Sequence, residues 1–438
     1  MSEKYYCGLD LGSQRIKAGI LKARNGSDVE LIGAYESKTN ALKNAIVCDL
    51  PELSECIHNT MRELIKRTGV KIKAVQLGIG GGFIEGREAN SIIPLVDRGS
   101  KIIGIRDMKK VSHQARLLGI KIDEEILHEL PLCYTLDDVN SVINPFGLYG
   151  RKLGVHSFLI VAHAIQMHNI TKAVHEAGYD VAHILFSSFI ASSVALSGHD
   201  RQAGCTLIDM GSSMTSVLIF KEGELKLFRK IDLGGDHFTR SIADQLKLPF
   251  DLAEELKKSY AFALGSSEHK EEEILVKREN AYRPIKREDI DQAIKPLVQQ
   301  VVENVHLVLK SSGLDGQLKS GIIMIGGASL LSGLIEKIGE DAKIMTRLGK
   351  IHISPASGNT LPWGAGMGPE ASSQTKESHS GRSLTMKNLV STALFSSVVG
   401  LAVYGMKNRF HYISSSNGYP YWARYLINKI KELYFEYF

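Results

Sequence analysis

The amino-acid sequence predicts an α/β fold arranged as two equivalent halves, and three features carry that prediction. Residues 6–19, YCGLDLGSQRIKAG, read as an apolar strand ending on Asp10, a tight turn at Gly12 and Ser13, and a returning strand that bears Arg15 and Lys17. Residues 205–220, CTLIDMGSSMTSVLIF, repeat the arrangement with Asp209, Gly211 and the hydroxyl pair Ser212 and Ser213. Two Gly-Gly turns follow, IDLGGD at 231–236 and GIIMIGGASLLSG at 321–333, each delivering its glycines into a helix. A turn of the first kind presents N–H groups and hydroxyls to an anion. The carboxylate beside it holds a cation, usually through water. Gly-Gly turns let backbone approach a phosphate and a purine without a Cβ clash. Together they point to two halves clamping one nucleotide.

Composition sets the frame. At 438 residues, with 44% apolar and 23% charged residues, the chain is long enough for two or more domains with their own cores. A net charge of +5 is too mild to argue for nucleic acid and is compatible with anionic lipid. Five cysteines, Cys7, Cys48, Cys56, Cys133 and Cys205, form no CxxC pair, which fits a reducing cytosol. The start MSEKYYCGLD runs directly into a strand, and no signal peptide is read there.

The elements follow in order. After the Asp10 hairpin come strands at 31–37 and 45–49. An amphipathic helix at 53–68 ends near Gly69 and lines Ile57, Met61, Leu64 and Ile65 along one face. A buried strand at 75–80 leads into LGIGGGF at 77–83, which no helix follows, so it reads as a bend between subdomains rather than a dinucleotide loop. A helix at 105–118, strands at 126–131 and 132–137, the turn cluster NPFGLYG at 144–150 and a strand at 152–162 come next. Then follow a helix at 165–177 closed by Gly178, a strand at 181–186 and a helix at 188–196. Beyond the second hairpin lie helices at 238–246 and 250–263, a charged loop or short strand at 268–287, a helix at 287–311 containing Pro296, and an irregular strand within 344–353. Residues 369–387 are Ser-rich and polar, a loop. The apolar run 388–406 has a core of about 17 residues, short of the ~20 a spanning helix needs, and reads as a buried helix returning to the first domain. Residues 410–418 are a polar linker.

This order of turns resembles the actin and sugar-kinase superfamily of ATPases. Within it, the chain resembles the FtsA family of bacterial division proteins, which tether FtsZ to the membrane, over nearly its whole length. Pro145, Leu148 and Gly150 before an extended apolar strand resemble that family's insert. The resemblance implies an actin-like ATPase fold of two ribonuclease H-like halves, with an FtsA-type inserted subdomain 1C and a C-terminal amphipathic helix. It implies a first domain at 1–83 and 164–196 with 388–407 returning to it, and subdomain 1C at 84–163. The second domain falls at 197–237 and 319–368 around a partner-docking subdomain 2B at 238–318. A loop at 369–387, a linker at 408–419 and a membrane-targeting helix at 420–438 complete it.

The resemblance also implies the cofactors, ATP and Mg²⁺, and roles for residues. Asp10 and Asp209 would face each other and hold Mg²⁺ through water. Gly12 and Ser13 would hold the terminal phosphates, with Gly211, Ser212 and Ser213 opposite. Arg15 stands where the family usually has lysine and Lys17 where actin has one, and either would reach the β-phosphate. Gly234 and Gly235 would lie by the ribose and α-phosphate, and Gly326, Gly327 and Ala328 would flank adenine. Glu254 and Lys257 resemble a helix contacting ribose and base, although a pair at i, i+3 equally fits a surface ion pair. The family's second turn runs Asp-x-Gly-Gly-Gly-Thr-x-Asp; here Ser212, Ser213, Met214 and Ser216 replace two glycines, the threonine and the second acid. Serine gives up φ > 0 conformations. No residue remains to position water, since Ser187, Ser188 and Ser192 are not general bases at neutral pH. The expectation is nucleotide binding with slow or absent hydrolysis, and no catalytic residue is assigned.

Partners follow from the same resemblance. FtsZ would dock between residues 238 and 316, where Lys286, Arg287 and Lys295 either attract an acidic tail or form a solvated face. The family's arginine after the helix proline is Leu297 here. The insert would meet a neighbouring copy in a polymer, or later division proteins. At 420–438, Trp422, Leu426, Ile430, Leu433 and Tyr437 form one helical stripe, ending on Phe438. The stripe would lie in an anionic lipid interface, or pack on its own domain or a partner. Its place, where FtsA proteins carry a membrane-targeting sequence, favours lipid at the cytoplasmic face of the inner membrane, at the division site. Single anchors are weak, so binding would need an oligomer. A PilM-like pilus scaffold and a phosphotransferase of the superfamily are the alternatives; the latter needs a catalytic acid that is not evident.

Overall fold

The computed structural model describes residues 3–24, 28–96, 99–137, 139–265, 272–278, 281–352 and 393–408. Within them the same sheet occurs twice. In the first half the strand order is Asp180–Phe186, Ala74–Ile79, Lys4–Leu11, Arg15–Arg24, Asp28–Lys38. In the second it is Thr346–Leu348, Ile322–Ile325, Cys205–Met210, Thr215–Lys221, Glu224–Ile231. In each half the first three strands along the chain pair antiparallel, and the remaining two join in parallel. The register sets Asp10 opposite Lys17 and Asp209 opposite Ser216, so the two acids occupy equivalent places in equivalent hairpins.

Local chemistry accounts for the helices that flank these sheets. Leu50–Thr68 starts at Asp49, whose carboxylate accepts from the Glu52 N–H at 2.9 Å, and stops at Gly69 in the left-handed region. Its buried stripe of Leu53, Ile57, Met61 and Leu64 faces the first core. Arg287–Ser311 buries Ile290, Ile294, Val298, Val301, Val305 and Leu309 in the second core, with Pro296 on its exposed side. Phe250–Tyr260 is shorter than the periodicity suggests. The charged stretch before the long helix is a hairpin, Glu273–Arg278 with Ala281–Lys286.

Between the first-half strands Ala74–Ile79 and Asp180–Phe186 the chain builds a separate antiparallel sheet, ordered Val139–Val142, Glu124–Leu136, Lys152–His163, Ile84–Pro94, with helix Ile105–Gly119 on it. This insert has its own small core around Ile93, Val111, Tyr134, Leu153 and Leu159. Two strands were expected at 126–131 and 132–137; one continuous strand, Glu124–Leu136, replaces them, with an irregularity where it meets Ser157. Pro131 sits at that irregularity, where a missing N–H costs the ladder least.

The described part of the late apolar run is helix Ser396–Lys407, buried along nearly its whole length. It lies across the first sheet because glycines make a seat for it. Gly8 and Gly19 pair across adjacent strands; a Cβ at Gly8 would collide with the Val398 carbonyl oxygen, and one at Gly19 would lie 2.6 Å from Val398 Cγ1. Gly400 brings the same helix against helix Ser187–Ala195, where a Cβ would lie 2.6 Å from the Ile190 carbonyl oxygen. No helix among the described residues is long and apolar enough to cross a membrane. The Ser-rich loop at 369–387 and the stripe from Trp422 to Phe438 lie outside the described residues.

Candidate functional site

The two Asp-led hairpins open onto one cleft of about 540 Å³, well inside the range of small-molecule and cofactor sites. Their turns match in detail. The Gly12 N–H donates to the Arg15 carbonyl at 3.1 Å, and the Gly211 N–H to the Met214 carbonyl at 2.9 Å. None of Ser212, Ser213 and Met214 has a positive φ. The loss of φ > 0 conformations on replacing glycine by serine therefore carries no strain, because this turn does not use them. The two turns touch: Ser13 Oγ and Ser213 Oγ are 2.9 Å apart, one hydroxyl donating to the other across the halves.

Each acid is held by serine hydroxyls. Asp10 accepts from Ser187 Oγ and from Ser397 Oγ, both at 2.6 Å. Asp209 accepts from Ser188 Oγ at 2.7 Å. Ser187 and Ser188 open helix Ser187–Ala195, so one helix serves both halves. Burial pushes the Asp209 carboxyl above its ordinary range, and the nearby Asp10 charge adds to this; the Ser188 hydrogen bond and Lys17 oppose it. A divalent cation between the acids would relieve that penalty. Two carboxylates with hydroxyls beside them form a hard-oxygen donor set, which fits Mg²⁺ held through water.

The two candidate cations differ. Arg15 is paired with Glu36 on the neighbouring strand. Lys17 donates to the Leu394 carbonyl at 2.8 Å and lies near enough to Asp209 to act on its ionisation. Lys17 thus brings positive charge toward the acids, while the charge of Arg15 is already matched.

On the far wall the first Gly-Gly turn, Gly234 and Gly235, starts helix Gly235–Leu246. The Gly235 N–H donates to the Gly211 carbonyl at 2.9 Å and the Asp236 N–H to the Ser212 carbonyl at 2.7 Å. Gly234 does not line the cleft as expected; it backs the second turn, where a Cβ would lie 2.5 Å from the Ser212 carbonyl oxygen. Lys257 Nζ donates to the Gly235 carbonyl at 2.9 Å, to Thr239 Oγ1 at 2.7 Å and to Glu254 Oε2 at 2.6 Å. The Glu254–Lys257 pair is therefore a part-buried ion pair in the cleft wall, with Lys257 buried, rather than a surface one. Burial pushes the Glu254 carboxyl up, but Lys257, Thr239 and Lys258 together hold it low; burial draws Lys257 down.

The last wall is Gly326, Gly327 and Ala328, after strand Ile322–Ile325. They lead into a single 3-10 turn, Gly327–Leu330, and the helix proper begins only at Leu334. Every residue assigned to the nucleotide from sequence lines the cleft except Gly234. Sequence reading missed Glu36, Asp236 and Ser397, which also line it. Asp236 carried a signal in its place at a helix N-terminus beside Gly-Gly. Ser397 carried none.

The residues expected from sequence to meet a partner lie elsewhere. Lys286 and Lys295 are exposed, whereas Arg287 is tied to Glu272 at 2.9 Å and to the Tyr260 carbonyl at 2.9 Å.

Comparison with known proteins agrees with this architecture. The family model described as "Cell division protein FtsA" matches residues 206–364, and that of the "SHS2 domain inserted in FTSA" matches 81–161. The FtsA of Buchnera aphidicola is 26% identical over 99% of both chains. That of Pseudomonas aeruginosa is 26% identical, covering 80% of this chain and 83% of its own. That of Streptococcus pneumoniae is 28% identical, covering 76% and 73%. Among solved structures, the PilM-PilN type IV pilus biogenesis complex has a TM-score of 0.63 at 17% identity, covering 92% of this chain and 98% of that one, a likeness of fold alone.

Proposed function

The chain belongs to the FtsA family of cell division proteins, and from that premise we propose that it is an actin-like protein that closes on Mg²⁺-ATP and links FtsZ filaments to the membrane at the division site. The observation that carries the nucleotide reading is the meeting of two equivalent Asp-led hairpins over one cleft. Asp10 and Asp209, oriented by Ser187, Ser188 and Ser397, would hold the waters of the cation. When bound, Mg²⁺ supplies positive charge against the terminal phosphates. Lys17 adds to it, and the N–H groups and hydroxyls of Gly12, Ser13, Gly211, Ser212 and Ser213 orient the phosphates from both sides. Gly235, Glu254 and Lys257 form the ribose side, and Gly326, Gly327 and Ala328 leave room for a purine face.

Turnover is proposed to be slow. The hydroxyls of Ser187 and Ser188 are committed to the acids, and Ser192 donates to the Phe189 carbonyl at 2.6 Å. None of these three hydroxyls is left free, and a serine hydroxyl is no general base for water at neutral pH. The protein would then use nucleotide to set its shape and its contacts with neighbouring copies.

Membrane attachment is proposed for residues 420–438, through the stripe from Trp422 to Phe438. One interfacial helix binds weakly, and a polymer multiplies it. FtsZ would engage the subdomain bearing the exposed Lys286 and Lys295. Co-sedimentation tests the whole reading. The full chain with Mg²⁺-ATP should carry FtsZ filaments down with phosphatidylglycerol-containing vesicles, and a chain ending at residue 419 should leave them in the supernatant. Equal recovery of FtsZ on vesicles with both chains would refute the anchor. Absence of ATP binding by the full chain would refute the cleft.

A further inference from the structure

We propose that His128, on the inserted subdomain, is a positioning residue that ties the insert to the geometry of the nucleotide cleft. The inference rests on the nucleotide reading of that cleft and adds to it a route by which the insert acts on it.

The route is short. His128 lies in the insert's long strand Glu124–Leu136, paired in register with Ile160. Its Nε2 accepts the Phe186 N–H at 3.0 Å, and its ring meets Phe189 edge-on, with centroids 4.7 Å apart. Phe186 ends an edge strand of the first sheet and is the residue from which helix Ser187–Ala195 departs. The next two residues are Ser187 and Ser188, whose hydroxyls hold Asp10 and Asp209. One peptide thus separates the insert's contact from the groups that orient both acids.

Parts of the two halves also fix the helix. At its C-terminal end Arg201 donates from one nitrogen to the Ser192 carbonyl at 3.1 Å and the Leu196 carbonyl at 3.2 Å. Along its side it packs on helix Ser396–Lys407, close enough that a Cβ at Gly400 would lie 2.6 Å from the Ile190 carbonyl oxygen. The N-terminal end is where the insert takes hold. A displacement of the insert moves the acceptor of the Phe186 N–H, and with it the two serines. A contact made by the insert with another molecule would therefore be felt at the acids, and closure on nucleotide would be felt in strand Glu124–Leu136, since coupling of binding energies is reciprocal.

The residue type suits the task. The Phe186 N–H is buried and needs an acceptor. Histidine supplies one only while neutral, and burial draws its pKa down to about 3. A glutamine carbonyl oxygen would accept the same bond, and leucine would fill the space without accepting.

The test uses the full chain, its His128→Gln and His128→Leu variants, a fluorescent ATP analogue with Mg²⁺, and amide hydrogen exchange. Expected are analogue affinity about fivefold weaker in His128→Leu, at the low end of usual coupling, and within about twofold of wild type in His128→Gln. Mg²⁺-ATP should slow exchange in residues 124–136 of wild type and His128→Gln, and not of His128→Leu. Wild-type affinity in His128→Leu, or exchange in 124–136 indifferent to nucleotide in wild type, would overturn the inference while leaving the cleft reading intact. If His128→Leu folds poorly, the wild-type and His128→Gln exchange measurements decide. Failure of the wild-type chain to bind the analogue would overturn the cleft reading and this inference with it.

Discussion

Adjacent glycines in the cleft wall offer a paired substitution with opposite expected outcomes. Gly326 has φ 89 and ψ 162, a region open essentially to glycine alone. A Cβ there would collide with the Met210 carbonyl oxygen and lie 2.6 Å from Asp209 Oδ1. Those neighbours are the backbone and the acid at the end of the central strand of the second half, so neither moves without disturbing the site. Backbone strain of roughly 1–3 kcal/mol adds to overpacking of roughly 1–3 kcal/mol, so Gly326→Ala should cost about 4 kcal/mol. For a chain of 438 residues the unfolding entropy is roughly 0.9 kcal/mol/K, so melting should fall by about 4 °C. Nucleotide affinity should fall with it, because Asp209 is displaced. Gly327→Ala is the control. Its φ is not positive, and a Cβ would meet only Leu394 Cδ2, at 3.6 Å. Melting should stay within about 1 °C of wild type, while affinity drops if a purine packs on that face. Differential scanning fluorimetry and titration with a fluorescent ATP analogue read both quantities. Equal melting of the two variants, or full affinity in Gly326→Ala, would refute the account of why glycine stands there.

Other outcomes follow from the same geometry. Ser188→Ala removes the donor to Asp209 and raises that carboxyl further, so the Mg²⁺ concentration needed for half-maximal nucleotide binding should rise by about tenfold; an unchanged Mg²⁺ titration would argue against the pairing. Ser213→Gly breaks the hydroxyl bridge between the halves, so nucleotide release in stopped-flow displacement should quicken by about fivefold; an unchanged release rate would mean the bridge does not restrain the cleft. For His128 the folded pKa is about 3 against 6.5 for the free side chain, so below pH 6.5 the unfolded chain binds a proton the folded one refuses. The stability involved is therefore complete above pH 6.5 and is lost as pH falls toward 3, reaching about 2 kcal/mol at pH 5. Urea unfolding of wild type and His128→Gln at pH 7.5 and 5 should show that excess loss in wild type only, and parallel losses would contradict the buried neutral imidazole.

Much of the site was legible because its signals are local. A hairpin that puts an acid one residue from the end of an apolar strand, followed by glycine and hydroxyls, is visible within a dozen residues, and it recurs at Asp209 with the same register. The boundaries of the long helix Arg287–Ser311 were likewise legible from its apolar period and the charged residues at its start. The paired glycines Gly8 and Gly19 carried a signal that went unread: glycine inside a strand marks the close approach of another element, here helix Ser396–Lys407. What could not be read locally are hydrogen bonds between distant residues. Ser397 reaches Asp10 across 387 positions, Ser13 meets Ser213 across 200, and Ser187 meets Asp10 across 177.

Sequence alone therefore determined the duplicated strand-and-turn units, since backbone conformation near a glycine, an acid or a run of apolar residues is governed by near neighbours. It also determined which chemical groups each turn offers. Packing settled which serine holds which acid, that Lys17 rather than Arg15 keeps charge directed at the acids, that Lys257 is buried against Glu254, and that the insert touches the helix feeding both halves. The physical reason is that hydrogen bonds and desolvation act over a few ångströms in space, and only folding brings residues hundreds of positions apart within that range.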